Sequence, residues 1–276
     1  MNILDKQNQV ISMLKESKKV LVAFSGGIDS TLVLKLAVDT LGTQNVKAVV
    51  ANSVLFTQVE FDQAVGLGKT MGVEVIQTEI DYLTNESIKY NKPTSWYWMK
   101  KLFYQRLNEI AKEEQVDAVL DGMIMDDQQD FRPGLRARDE EGAISLLQAA
   151  DFYKSDVRNL ATQLGLKNWN KVASCSVSSR FPYNTELTVV AIERLKQAEA
   201  FLRSLGFATV RVRVQDLTAR IEVPLTQVNE LIQQAGQINA QLKEYGYQFV
   251  TVDLQGFKSG RMNDQLSNEV KNALVD

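Results

Sequence analysis

Two stretches of this 276-residue chain carry residue types that can do chemistry. The first is Ser25-Gly26-Gly27-Ile28-Asp29-Ser30. Its glycines allow a tight turn and a close approach of ligand to backbone. Val20-Leu21-Val22-Ala23-Phe24 precedes it and reads as a buried strand, and Thr31 to Ala37 reads as a helix. A strand, a Gly turn and a helix N-terminus together make an anion site, because loop N–H groups and the helix dipole point at negative charge. Ser25 and Ser30 add hydroxyl donors. Asp29 would repel a phosphate unless a divalent cation lies between them, so the loop implies Mg²⁺. It is not a Walker A loop, because no Gly-Lys-Ser/Thr follows.

The second stretch runs from Lys171 to Tyr183 and holds the single cysteine, Cys175. A lone cysteine is more often a small buried hydrophobe than a nucleophile. This one stands among Ser174, Ser176, Ser178 and Ser179, with Arg180 five residues on. A polar, cationic setting lowers a thiol pKa and favours the thiolate. The chain has no histidine, which removes the commonest general base and every Ser-His or Cys-His pair. A base must therefore be Glu, Asp, Lys, Tyr or the substrate. One cysteine makes no internal disulfide, no cysteine zinc site and no unaided iron–sulfur cluster, and it fits a reducing cytoplasm.

The elements that must position these groups alternate. Residues 2–17 have an amphipathic helical pattern. Val46 to Ala51 and Val73 to Gln77 read as strands, Phe61 to Met71 and Lys101 to Lys112 as helices, and Ala118-Val119-Leu120 as a strand. This alternation predicts an α/β fold with a doubly wound parallel sheet, its ligand lying across the carboxyl ends of the strands. Asn52 and Ser53 end one strand, where they either flank an adenine or cap a helix. Asp121-Gly122 ends another and opens a long polar loop from Met125 to Gly134. Gly122 would let the backbone approach a nucleotide, and loops of this length are often functional; a solvated acidic turn is the plainer reading. Ser145 to Ala150 and Lys154 to Leu164 read as helices.

After Asn184 the pattern changes. Thr188 to Leu205 is helical, and Thr209 to Val214 alternates strictly, placing Arg211 and Arg213 on one face. Ala219 to Val223 would pair with it as a hairpin. A helix from Leu225 to Tyr245 and a strand from Gln248 to Asp253 follow. The expectation is two domains, 1–184 for nucleotide chemistry and 185–276 as a smaller C-terminal α+β domain, ferredoxin-like in order, for substrate or oligomer contacts. Arg211 and Arg213, with Arg220, Lys258 and Arg261, suit either a phosphate site or a solvated sheet face.

Acidic residues number 34 and basic residues 31, a net charge of −3. That balance gives no nucleic-acid footprint. No run reaches transmembrane length and no basic start leads into an apolar run, so neither a membrane span nor a signal peptide is expected.

The Ser-Gly-Gly-x-Asp-Ser loop resembles that of the PP-loop ATP pyrophosphatases, which implies cleavage of ATP between its α and β phosphates. Taken with Leu120-Asp121-Gly122, Asp130-Phe131-Arg132-Pro133-Gly134-Leu135, Ser178 to Tyr183, Arg211-Val212-Arg213, Ala219-Arg220-Ile221-Glu222 and Gly256 to Asn263, the chain resembles the LarE family over nearly its whole length. These are ATP-dependent sacrificial sulfur transferases that help build the nickel-pincer nucleotide cofactor of lactate racemase. Many members carry Cys-x-x-Cys where Trp96 and Met99 stand here, and with a third cysteine are thought to hold an iron–sulfur cluster. Cys175 alone matches the single-cysteine type, without a cluster. Gln215 stands where many members have a histidine.

The resemblance implies that ATP, with Mg²⁺ or another divalent cation, adenylates a pyridinium dicarboxylate mononucleotide. Cys175 then forms a thioester, and elimination releases a thiocarboxylate and leaves dehydroalanine. It offers Glu199, Glu222 and Glu230 as base or metal ligands beside Asp29. It places the substrate phosphate on Ser179, Arg180, Arg211 and Arg213, and ATP on Ser25, Gly26, Gly27, Asp29, Ser30, Asn52, Ser53 and Gly122. Trp96 would stack on the pyridinium or pack beside Tyr97 and Trp98. A homo-oligomer, such as a hexamer, is also implied. The other readings are a PP-loop tRNA thiolase, which predicts a basic extra domain and further cysteines; an amide-forming ligase, indifferent to Cys175; a persulfide relay on Cys175; and a nucleotide-binding sensor without catalysis.

Overall fold

The computed structural model describes residues 1–128, 134–168, 175–258, 260–267 and 269. Two compact units are seen, Met1–Tyr82 with Trp96–Ser174, and Leu83–Ser95 with Cys175–Leu274. Neither unit is one continuous stretch: Leu83–Ser95 and the residues from Cys175 to Asn184 belong to the second.

The first unit is built on α1 (Ile3–Leu14), β1 (Val20–Ala23), α2 (Ile28–Leu41), β2 (Val46–Asn52), α3 (Gln58–Thr70) and β3 (Glu74–Glu79). Its sheet is parallel, in the order β3-β2-β1-β4, where β4 is Ala118–Leu120. β1 is buried at all four positions, as a central strand covered on both faces must be. Successive side chains of a strand point to opposite faces, and the packing shows it. Val20 and Val22 join a core with Val10, Leu14, Leu32, Leu36 and Phe152. Leu21 and Ala23 join a separate core with Val49, Tyr104, Leu107 and Ile110. Helices therefore cover both faces, and the expected doubly wound α/β architecture is present. Each fully buried Leu or Val contributes on the order of 1.5–3 kcal/mol.

Ser95–Glu113 forms one long helix, α5, with α4 (Glu86–Lys89) before it. α5 starts six residues earlier than its expected start at Lys101, so Trp96 lies on a helix. After β4 come α6 (Gly134–Glu141), α7 (Leu146–Ala149) and α8 (Lys154–Gln163). The polar loop after Gly122 includes a 3₁₀ turn at Met125–Gln128; its remainder, including the Asp130-Phe131-Arg132-Pro133 motif, lies outside the described residues, as do Lys171 to Ser174.

In the second unit, α9 (Val189–Ser204) precedes β5 (Arg211–Gln215) and β6 (Thr218–Glu222), then α10 (Val228–Gln233), α11 (Ala235–Glu244) and β7 (Phe249–Val252). β5 and β6 form the expected antiparallel hairpin, and β7 adds to β6 in parallel. The structure departs from the sequence pattern at two points. The helix expected over Leu225 to Tyr245 is two helices, because the backbone at Gln234 (φ −99°, ψ 11°) leaves the helical region. The sheet is three-stranded among the described residues, in the order β5-β6-β7, without the fourth strand of a ferredoxin-like fold.

Candidate active site

The glycine loop lies between β1 and α2, at the carboxyl end of the sheet. Gly26 has φ +66°, and a Cβ there would lie 3.0 Å from the Ala64 backbone, so glycine is required by conformation and by space. The serines are tied to the loop. Ser25 N–H donates to Ser30 Oγ (3.3 Å), Gly27 N–H to Ser25 Oγ (3.3 Å), and Ser30 Oγ to Gly27 O (3.1 Å). The result is a preset turn at the start of a fourteen-residue helix, with free N–H groups and a positive dipole end available to an anion.

Gly122 packs against this loop. A Cβ there would meet Ser30 N at 2.6 Å and Ser30 Cα at 2.9 Å. What approaches Gly122 is the backbone at the start of α2. The residue before it, Asp121, is buried and fully engaged. Tyr104 Oη and Ser145 Oγ each donate to it at 2.6 Å, and Met123 N–H donates at 3.1 Å. Arg138 in turn donates to Ser145 Oγ (2.9 Å) and to Gln148. This network fixes the end of β4 against the loop.

Asp29 is paired with a residue that sequence reasoning missed. Lys154 Nζ donates to its Oδ1 at 2.8 Å and to its Oδ2 at 2.7 Å. Burial raises the Asp29 pKa, with the charge of Asp127 adding to the rise and Lys154 opposing it. Asn168, also missed, donates from Nδ2 to Gly26 O (3.1 Å) and Thr31 Oγ1 (2.9 Å). Asn52 and Ser53 make a local turn: Ser53 N–H donates to Asn52 Oδ1 (2.9 Å) and Leu55 N–H to Ser53 Oγ (3.2 Å). Trp96 is half-buried on α5, and the ring pair of that stretch is Tyr97–Trp98.

In the second unit Cys175 is exposed. It leads into a 3₁₀ turn, Val177–Arg180, capped by Ser176. Arg180 is 5% exposed and holds the turn together, its Nη1 donating to Cys175 O (3.3 Å), Ser176 O (3.0 Å) and Ser179 Oγ (2.9 Å). Its Nε and Nη2 donate to Glu199. Glu199 also accepts from Arg203 Nη2 (2.6 Å) and Val212 N–H (3.2 Å). Burial pushes the Glu199 carboxyl up, but Arg180, Arg203 and Arg211 outweigh it and hold the carboxyl below its ordinary range. Burial, then the charge of Arg180, hold Arg211 below the usual guanidinium range, while Glu199 and Cys175 pull the other way.

Arg213 reaches the same turn from β5, donating from Nη1 to Ser179 O at 2.7 Å and from Nε to Glu222 Oε2 at 3.0 Å. Glu222 is fully buried, and Arg261 takes its other oxygen at 3.0 Å. The structure therefore gathers Cys175, Ser179, Arg180, Arg211, Arg213, Glu199 and Glu222 into one arginine-rich cluster. Glu230 is exposed on α10. Among the described residues no group of three or more Asp, Glu, Cys or His could hold a metal ion, and none of their helices is long and apolar enough to cross a membrane.

Residues 4–112 match the family model for NAD synthase. A pyridinium-3,5-bisthiocarboxylic acid mononucleotide synthase of Lactiplantibacillus plantarum is 57% identical over 262 residues, 95% of this chain and 95% of its own. An uncharacterized protein of Synechocystis is 37% identical, with 91% of this chain and 94% of its own aligned. One of Methanocaldococcus jannaschii is 27% identical over 94% of this chain and all of its own length.

Proposed function

The chain belongs to the LarE family of ATP-dependent sulfur transferases, and from that membership we propose that it sulfurates a pyridinium dicarboxylate mononucleotide at the expense of its own Cys175. The observation that carries the reading is the setting of Cys175. The single thiol of the chain is exposed, and the carbonyl of its own residue is held by Arg180.

In the first step ATP binds at the Gly26-Gly27 turn and the start of α2, and Asn52, Ser53 and Gly122 border that site. A substrate carboxylate oxygen attacks the α phosphorus and pyrophosphate leaves. The turn suits a triphosphate because it stands at the N-terminus of the fourteen-residue α2, where N–H groups and the positive dipole end attract an anion. Asp29 at the turn is the carboxylate proposed to meet a divalent cation, which would share it with Lys154 and would supply charge neutralisation to the phosphates. Glu199 and Glu222 do not fit that role, because their oxygens are engaged by Arg180, Arg203, Arg213 and Arg261. Glu230 remains a candidate ligand or base from its exposed helix.

In the second step the Cys175 thiolate attacks the acyl carbon and expels AMP, giving a thioester. A base then removes the Cα proton of Cys175. The electron pair forms the Cα–Cβ double bond, the Cβ–Sγ bond breaks, and sulfur leaves on the substrate as a thiocarboxylate. The residue left behind is dehydroalanine. Ser179, Arg180, Arg211 and Arg213 hold the substrate phosphate as charge-assisted donors, with Trp96 stacking on the pyridinium. The nucleotide chemistry is assigned to the unit of Met1–Tyr82 and Trp96–Ser174, and the substrate phosphate and oligomer contacts to that of Leu83–Ser95 and Cys175–Leu274, with assembly as a homo-oligomer such as a hexamer.

Cys175→Ala separates the steps. With ATP, Mg²⁺ and the dicarboxylate mononucleotide it should release pyrophosphate and form no thiocarboxylate. Thiocarboxylate formed by Cys175→Ala would refute the reading.

A further inference from the structure

Asn91 is fully buried in the second unit and has φ +45°, a left-handed conformation that Asn tolerates better than most residues. Its segment is tied to the one after Tyr183, since Asn184 N–H donates to Asn91 O at 3.1 Å and Leu187 N–H to Lys89 O at 2.7 Å. Its side chain does more. Nδ2 lies 3.3 Å from Ser178 O, 3.1 Å from Phe181 O and 3.0 Å from Pro182 O. A carboxamide has two N–H hydrogens, so three carbonyls share two donors. The three carbonyls also fix which end of the carboxamide is nitrogen. The other end, Oδ1, is buried without a hydrogen-bond partner, an arrangement that costs stability. The chemistry at this point is donation to the turn.

That turn carries Ser179 and Arg180, and Arg213 reaches it through Ser179 O. Carbonyls gathered onto one nitrogen fix the backbone from 178 to 182 and so fix where the Ser179 hydroxyl and the Arg180 guanidinium stand. We infer that Asn91 is a positioning residue for the substrate phosphate, acting through the Ser178–Pro182 backbone. The inference rests on the proposed role of Ser179, Arg180 and Arg213 as the phosphate holders. Asn91 touches neither substrate nor reacting atoms in this account.

The test uses the full chain in single-turnover assays with ATP and the dicarboxylate mononucleotide. Asn91→Gly keeps the positive φ and removes the donors. Its half-saturation for the mononucleotide should rise about tenfold, the effect of roughly one hydrogen bond lost from the ordered state. Its half-saturation for ATP should stay within about twofold of wild type. Asn91→Asp keeps the shape and faces the three carbonyls with a carboxylate. Protonation restores one O–H donor, so its defect relative to wild type should shrink from pH 8 to pH 6. Should Asn91→Gly not fold, this pH dependence decides alone.

Arg213→Lys is the control for the underlying reading. If it weakens mononucleotide binding while both Asn91 variants bind like wild type, the role of Asn91 is overturned. An Asn91→Asp defect that is the same at both pH values overturns it too. If Arg213→Lys leaves mononucleotide binding unchanged, the phosphate reading itself fails.

Discussion

Glu199 and Arg180 bury their charges together, with Arg180 Nε 3.1 Å from Glu199 Oε1 and Nη2 3.4 Å from Oε2. Both side chains are under 5% exposed. A carboxylate engaged in this way, and held below its ordinary pKa, is a poor acceptor for a proton from Cys175. Its work is to hold the guanidinium that organises the cysteine turn.

Glu199→Gln should therefore act on stability. Breaking a buried pair leaves uncompensated charge and costs about 3–5 kcal/mol, to be read in a urea titration. The sign with pH follows from the depressed pKa. The stabilisation from Glu199 is present above its unfolded value of 4.5 and is lost as pH falls below it toward the folded value. Wild type should lose more stability than Glu199→Gln between pH 5 and pH 3, intervals chosen around the usual carboxylate range of about 4. An unchanged urea midpoint with slowed elimination would instead make Glu199 the base.

Gly122→Ala should disable the loop. Its new Cβ would sit 2.6 Å from Ser30 N, an atom of rigid backbone. Such overpacking costs about 1–3 kcal/mol, and ATP-dependent pyrophosphate release should fall steeply. Gly66→Ala, on α3 with nothing within 4 Å of the added carbon, should stabilise by roughly 0.5–1 kcal/mol. Thermal melts of both variants check the contrast, and equal effects would contradict it.

Lys154→Met should move a pH profile. Burial raises the Asp29 pKa and Lys154 opposes that rise. Without the lysine the pKa climbs further, so ionised Asp29 is lost at a higher pH. The acidic limb of pyrophosphate release should shift to higher pH, with a smaller deficit at pH 8 than at pH 6. A deficit equal at both values would separate Lys154 from the ionisation of Asp29.

Tyr104→Phe should destabilise the first unit. Tyr104 Oη donates to buried Asp121 at 2.6 Å. Removing it strips a donor from a buried carboxylate, which costs about 1–3 kcal/mol. Differential scanning calorimetry would show the loss as a lower melting temperature.

Much of this was legible in the sequence. The parallel sheet follows from apolar runs such as Val20 to Phe24 alternating with helical patterns, and the glycine loop is local chemistry between them. The Arg211 and Arg213 face follows from a period of two. What was hidden is tertiary. Lys154 lies 125 residues from Asp29, and no local pattern links them. Asn91 sits in an unremarkable Tyr90-Asn91-Lys92 stretch, and its partners lie about ninety residues on. Glu199 and Glu222 could be read as base candidates because a sequence lists carboxylates without their partners. Gly122 was expected to face a nucleotide, and its closeness to Ser30 emerges only once β4 and α2 are packed.

The central claim is that Cys175 gives up its sulfur. The direct measurement is mass spectrometry of the intact chain and of the peptide containing Cys175, after incubation with ATP, Mg²⁺ and the dicarboxylate mononucleotide. The account predicts loss of the elements of H₂S at Cys175, one per thiocarboxylate formed, and no second turnover. An unaltered Cys175 beside accumulated thiocarboxylate would contradict it and point to sulfur relayed from another donor.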